Sequence, residues 1–363
     1  MVVAAPVVEK PTTAEELAKR LHQAGESGSA VVPVGGGRSN RMGGAPLRCD
    51  VELHTTRLDR VLEHSQADMV VSVEAGITLE ALQEELGKAG QFLPLDPFNS
   101  PGHTIGGLLA TGWTGPLRQR FGSPRDYLIG IRVALPDGHL ASAGGRVVKN
   151  VSGYDLMKLH YGAMGSLGVI VAASFKVFPK PMHDVTLGTA SGSMEEAWIA
   201  AEQALSMPLA PTALELFSDG RLLVRLCGSP DAVRRMVTEL GWQPADGSVW
   251  ADHSRTGLAS WARIAMPRYA LREILGALPE KSRWWASPGT GIAHWSFDSS
   301  DDVVRVRHAA ELAHGSLVLM SAPDEVSKQI GAWGTPPETI GMMRRLKKAF
   351  DPDGILNPGR FVV

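Results

Sequence analysis

Apolar positions in the first ninety residues follow two different periods. In TTAEELAKRLHQAG (Thr12 to Gly25) they fall at 14, 17, 18 and 21, behind a polar start and two glutamates, with a glycine after the last turn. That spacing predicts an amphipathic helix. AVVPVGGG follows as a short buried strand running into a loop. MVVSVEAGITLEALQEELGKAG (Met69 to Gly90) then repeats strand, turn and amphipathic helix, with Thr78 as the N-cap. Two such units predict an α/β or α+β region.

The texture changes near KVFPKP (Lys176 to Pro181), where prolines end a strand-like run by removing ladder donors and restricting their neighbours. Beyond it, SMEEAWIAAEQALSM (Ser193 to Met207) and SPDAVRRMVTELGW (Ser229 to Trp242) read as helices. TALELFSDGRLLVRLCG (Thr212 to Gly228) alternates about Ser218-Asp219-Gly220 and reads as a hairpin. The end, PETIGMMRRLKKAFDPDGILNPGRFVV, predicts a basic helix, a Pro/Gly turn and an extended tail. The chain thus divides at 1–181, 182–336 and 337–363.

Composition narrows the class. With 363 residues, 44% apolar and 20% charged, the chain is long enough for two or three domains with ordinary cores. A formal charge of -2 supplies no general field for nucleic acid or an acidic membrane. Cys49 and Cys227 belong to no CxxC or Cys/His array, so one chain cannot build a four-cysteine iron–sulfur or zinc site, and no metal site is expected. They read as reduced thiols, with one long-range disulfide as the alternative. The start, MVVAAPVVEKPTT, has no basic n-region and falls far short of a membrane span, so a cytoplasmic protein without an anchor is expected.

Glycine-rich loops carry the candidate chemistry. VVPVGGGRSNRMGGAP (Val31 to Pro46) puts three glycines after a strand, where backbone N–H groups can converge on a phosphate; a plain surface loop is the other reading. No Gly-Lys-Ser/Thr makes it a P-loop. Gly43, Gly44 and Pro46 exclude the immediate helix of a Rossmann turn. SPGHTIGGLLATGWTGP (Ser100 to Pro116), RFGSPRDYLIGIRVALPDG (Arg120 to Gly138) and RVVKNVSGYDLMKLHYGAMGSLGVI (Arg146 to Ile170) add further loops of small residues. A long ligand with a diphosphate and a planar ring system accounts for all of them better than a mononucleotide does.

In that order, closed by KVFPKP and the C-terminal FDPDGILNPGRF, these segments resemble the FAD-binding flavoproteins of the vanillyl-alcohol oxidase, or PCMH, type. Within that superfamily they are most similar to the smaller FAD-binding subunits, or E subunits, of bacterial glycolate oxidases. The resemblance implies an α+β fold: a two-subdomain FAD-binding domain over 1–181, a smaller α+β cap over 182–336, and a C-terminal helix and tail returning to the FAD domain.

Residue by residue, it implies that Gly35, Gly36, Gly37, Arg38, Ser39 and Asn40 form the first pyrophosphate loop. Thr104, Ile105, Gly106, Gly107, Thr111, Gly112 and Gly115 form the second. Gly122, Ser123 and Asp126 make a further cofactor-facing turn, and Lys149, Asn150, Gly153, Tyr154 and Asp155 lie near the flavin. Gly165, Gly168, Val169 and Ile170 correspond to the strand at the adenine, while Asn357, Pro358, Gly359 and Arg360 bring the tail back. For Asp155 a cap or ion pair within the fold, and for Tyr154 a core ring, are equal readings. His103, His160 and His183 read as surface or packing residues. No histidine stands in the first loop, where some relatives attach flavin, so noncovalent FAD is expected.

Two departures bear on catalysis. Hydroxy-acid-oxidising members carry a His-rich HxGDGNxH-like element in the cap, whereas GTGIAHWSF (Gly289 to Phe297) offers His294 alone. Gly162-Ala163-Met164-Gly165 replaces the usual Gly-Ser-Glu-Gly. Both point to the companion subunit of a complex, beside a catalytic flavosubunit and an iron–sulfur subunit. For oxidation of a 2-hydroxy acid, His294 is the candidate base and Arg263 or Arg268 the candidate carboxylate fork, with a solvated face as the other reading of both arginines. Trp261, Trp284, Trp285 and Trp295 read as pocket lining, cap core or subunit interface. The expected function is FAD-dependent oxidation of glycolate or D-lactate with electrons passed to a partner. A structural relay subunit and a free-standing oxidoreductase are the alternatives.

Overall fold

The computed structural model describes residues 5–97, 101–145, 156–250 and 259–363. Lys149, Asn150, Gly153, Tyr154 and Asp155 lie outside the described residues.

The first predicted helix spans Ala14–Glu26. The Thr13 hydroxyl accepts the Glu16 N–H at 3.1 Å, and the Glu16 carboxylate accepts the Thr12 N–H at 2.9 Å, so two free donors at the helix start are satisfied. Its buried face, Leu17, Ala18, Leu21 and Ala24, packs on Val31 and Leu53 of a small parallel sheet. In that sheet Val51–His54 lies between Val7–Glu9 and Val31–Val34. The second unit follows the same logic: strand Val70–Glu74, then helix Leu79–Lys88 capped by Thr78. That strand belongs to a five-stranded antiparallel sheet ordered Val61–Ser65, Val70–Glu74, Val169–Lys176, Leu128–Ala134, Leu140–Gly144. Beyond Lys176 the chain forms only the two-residue strand Phe178–Pro179, paired with Gln91–Phe92, before entering the next sheet.

Eight antiparallel strands follow, ordered Gln243–Ala245, His183–Ala190, Arg221–Gly228, Ala213–Phe217, Trp284–Ser287, Ile292–Ser296, Trp261–Ala265 and Ser316–Ser321. The hairpin about Ser218-Asp219-Gly220 is among them. One face carries Leu214, Leu216, Trp284, Ala286, Ala293, Trp295, Ala262, Ile264, Leu317 and Leu319. It is covered by the helices Met194–Leu205, Pro230–Leu240, Arg268–Gly276 and Ser300–Leu312. The other face presents Trp285, Val318 and Met320 to the core of the N-terminal part, alongside Leu108 and Trp113. Side chains alternate across a strand, so the four candidate tryptophans split. Trp284 and Trp295 belong to the helix-side core, whereas Trp261 and Trp285 face the N-terminal part.

The basic helix spans Ile340–Phe350, and the tail behind it docks on the small sheet. The Val31 N–H donates to Ile355 O, and the Asn357 N–H donates to Val31 O, both at 2.8 Å. Among the described residues, no helix is long and apolar enough to cross a membrane. Cys49 and Cys227 are free thiols.

Candidate functional site: a glycine-walled cleft and a buried aromatic seam

Strand Val31–Val34 delivers Gly35 to Asn40 onto the segment His103 to Thr111. The two loops meet backbone to backbone. A Cβ added at Gly36 would lie 1.6 Å from the Gly102 carbonyl oxygen, and one at Gly35 would lie 2.2 Å from Thr104 Oγ1. Between them opens a cleft lined by Gly35, Gly36, Gly37, Arg38, Ser39, Asn40, Thr104, Gly107, Thr111, Asn357 and Arg360. Pro33, His103, Ala110 and Met164, which the sequence reading did not place there, complete the lining. His103 is 4% exposed and its ring lies 5.9 Å from that of Trp113.

The returning tail closes one end. Arg360 donates to the Ser39 and Met42 carbonyls at 2.9 Å each, while its Nε is buried without a partner. Asn357 donates to Met164 O and leaves its own Oδ1 unpartnered. Orphaned polar atoms are rare in folded cores. In a cleft walled by glycine backbone the Arg360 Nε–H fits an anionic occupant such as a diphosphate, whereas the Asn357 oxygen fits a hydroxyl or N–H donor of the occupant.

Other candidates serve the scaffold. Ile105 is fully buried, and Gly106 packs on Ala75. Gly115 sits where a Cβ would meet Asp96 O at 1.8 Å, and the C-cap of helix Ile105–Thr111 is Gly112. Asp126 and Ser123 form a capping box for the short helix Pro124–Tyr127, beside Gly122. Gly165 neighbours Pro33, Gly168 lies against Val133, and Val169 and Ile170 are core residues. His160 is packing, edge-on to Phe350, and His183 is exposed.

The N-terminal-facing side of the large sheet forms the second part. Direct cross-strand pairing aligns Phe217, Trp285, His294, Arg263 and Val318 in one row. His294 is 5% exposed, stacked on Trp285 at 5.1 Å and tilted against Trp261 at 5.5 Å. Trp261 in turn meets Trp113 edge-on at 5.4 Å, so one aromatic series runs from His103 at the cleft to His294 in the sheet. Arg268 is exposed and starts a helix of the opposite layer, away from that row.

Along the same face lies Glu215, fully buried and accepting from the Ser287 hydroxyl. Burial pushes its carboxyl up to about 8, and nearby Asp96 adds to the rise. Burial raises Asp96 to about 7, against a hydrogen bond from the Leu117 N–H at 2.9 Å. The folded chain thus holds protons that the unfolded chain releases near its ordinary carboxylate value. Stability therefore falls as pH rises from about 4.5 to about 8. Glu215→Gln is expected to flatten that fall, so that its Tm rises relative to the wild-type value between pH 5 and pH 8 and gains no more above it. Parallel melting curves across this range would show a Glu215 charged in the fold.

A cleft with this lining can hold the diphosphate of a dinucleotide cofactor. Residues 5–144 match the FAD binding domain family, and residues 328–361 match the C-terminal domain of FAD linked oxidases. Glycolate oxidase subunit GlcE of Escherichia coli (strain K12) is 30% identical, over 83% of this chain and 84% of its own. Mitochondrial D-lactate dehydrogenase [cytochrome] of Arabidopsis thaliana is 27% identical over 98% of this chain and 73% of its own. Among solved structures, an alkyldihydroxyacetonephosphate synthase shares the fold, with a TM-score of 0.73 and 19% identity over 98% of this chain and 78% of its own. The chain belongs to the PCMH-type family of FAD-linked oxidoreductases, and its cofactor is FAD.

Proposed function

We propose that this chain is the FAD-binding subunit of a glycolate oxidase-like complex that oxidises glycolate or D-lactate to the 2-oxo acid and passes electrons to a partner. The pairing of Arg263 with His294 on adjacent strands, on the side facing the flavin domain, carries this reading. Subunit names among the relatives support the complex. In this reading the flavin domain ends near residue 181, the cap spans 182–336, and the remainder seals the cofactor site. FAD is bound noncovalently through Gly35 to Asn40, the Thr104 to Gly107 turn, Asn357 and Arg360.

FAD supplies a two-electron acceptor for the hydride leaving the substrate's α-carbon. The chain's own residues do the rest. Arg263 holds the carboxylate as a fork, His294 takes the hydroxyl proton, and Trp261 and Trp285 keep water from the reacting atoms. His294→Ala is expected to lower glycolate or D-lactate turnover of the assembled complex by roughly 10²–10⁴-fold with FAD retained. Unchanged turnover would remove His294 from the chemistry. The enclosure of its ring by Trp261 and Trp285 favours the second reading, a non-catalytic relay subunit in which His294 only packs.

A further inference from the structure

We propose that a second cavity, which shares no lining residue with the glycine-walled cleft, is a binding site for an amphipathic carboxylate, an acid with an apolar aryl or alkyl body. This site stands apart from the roles given above to Arg263 and His294. Its volume is about 400 Å³, within the range of sites for small organic ligands. The N-terminal part supplies an apolar wall, in which Phe92 and Phe121 meet edge to face at 5.6 Å and Leu95 and Leu117 are buried. Strands His183–Ala190 and Arg221–Gly228 supply a polar wall through Asp184, Arg225 and Cys227, and Lys180 of the connecting segment adds an ammonium. A ligand for such a space needs both characters.

Arg225 and Asp184 decide the sign of its charge. The guanidinium binds Asp184 through Nε and Nη2, leaving Nη1 without a partner among the described residues. One edge of the fork is therefore taken and the other is open to a second carboxylate. The Lys180 ammonium is exposed and has no hydrogen bond or ion pair among the described residues. Asp96, the other acid of the lining, accepts from the Leu117 N–H at 2.9 Å through Oδ2, while its Oδ1 is buried without a partner. Burial raises that carboxyl to about 7, so it holds much of its proton near neutrality and can donate to a ligand oxygen. Two cations thus share one fully ionised acid, and an anion restores the balance. An exposed lysine or arginine alone marks no site; here both border a cavity with an aromatic wall, which gives the anion's apolar body somewhere to go.

Hydrocinnamate, which has no α-hydroxyl to be oxidised, serves as probe on the FAD-loaded full chain. Calorimetric titration reads affinity, and alkylation of the Cys227 thiol by iodoacetamide reads occupancy, with the free thiol Cys49, outside the cavity, as internal control. At a probe concentration ten times its Kd, alkylation of Cys227 is expected to slow about tenfold and that of Cys49 to stay unchanged. Lys180→Glu is expected to weaken binding about tenfold. Asp184→Asn, which frees the second edge of Arg225, is expected to tighten it about threefold or more. Acetate lacks the apolar body and should bind at least about tenfold more weakly. Phenethylamine carries the opposite charge on the same body and should not protect Cys227. Protection by phenethylamine, with weaker hydrocinnamate binding in Asp184→Asn, would make the cavity a cation site and overturn the proposal. Wild-type affinity in Lys180→Glu, or hydrocinnamate binding that leaves Cys227 alkylation unchanged, would put the probe elsewhere and overturn it too. So would an absence of any hydrocinnamate binding.

Discussion

Gly36→Ala is expected to weaken flavin binding sharply. The added methyl would stand 1.6 Å from the Gly102 carbonyl oxygen, so the two loops that wall the cleft must part. The contact is with backbone, not with a side-chain end that can swing away. Overpacking of this kind costs roughly 1–3 kcal/mol where side chains can yield, and backbone against backbone belongs at the upper end. The FAD dissociation constant should rise about a hundredfold. Gly276→Ala supplies the control, since nothing lies within 4 Å of its added Cβ and alanine suits the end of helix Arg268–Gly276. Flavin fluorescence titration of both variants checks the result. Wild-type FAD affinity in Gly36→Ala would mean that this cleft does not hold the diphosphate.

Asp351→Ala is expected to release the tail that closes the cleft. Asp351 is 2% exposed and its carboxylate accepts three hydrogen bonds: from the Ile355 N–H at 3.0 Å, from the Leu356 N–H at 2.8 Å, and from Lys347 Nζ at 2.6 Å. The same ammonium donates to Ser166 O and Leu356 O, both at 2.9 Å, tying the basic helix and the tail to the segment before strand Val169–Lys176. Removing the acid leaves a buried cation and two backbone donors without their partner, a loss of about 3–5 kcal/mol by analogy with broken buried ion pairs. Asn357 and Arg360 lie just beyond this anchor, so FAD affinity should fall together with Tm. Asp351→Asn keeps the acceptor oxygen and should lose less of both. A variant that melts early yet binds FAD normally would separate the tail from the cofactor site.

Much of this was legible in the chain itself. Thr78 and the helix behind it and the hairpin at Ser218 to Gly220 follow from caps, turn residues and local periods, which act over a few residues, whereas the return of the tail was implied only by the family resemblance. Glu215 carried a signal of its own. It alternates with Leu214 and Leu216, which places it on the opposite face, but whether that face meets water or protein is not written in the alternation.

Sequence by itself determined the local elements, the glycine loops able to face a phosphate and the flavoprotein resemblance they carry in order. It did so because hydrophobic period, capping and turn chemistry record each segment's own contrast between core and solvent. Only the tertiary structure decided that Arg263 stands beside His294, that Arg268 points elsewhere, and that the tryptophans divide between two cores. The large sheet is buried on both sides, so its alternation distinguishes two faces without naming them. Which partner covers each face is settled by packing: helices near in sequence, such as Arg268–Gly276, cover one, and segments more than a hundred residues away, such as Leu108 and Trp113, cover the other.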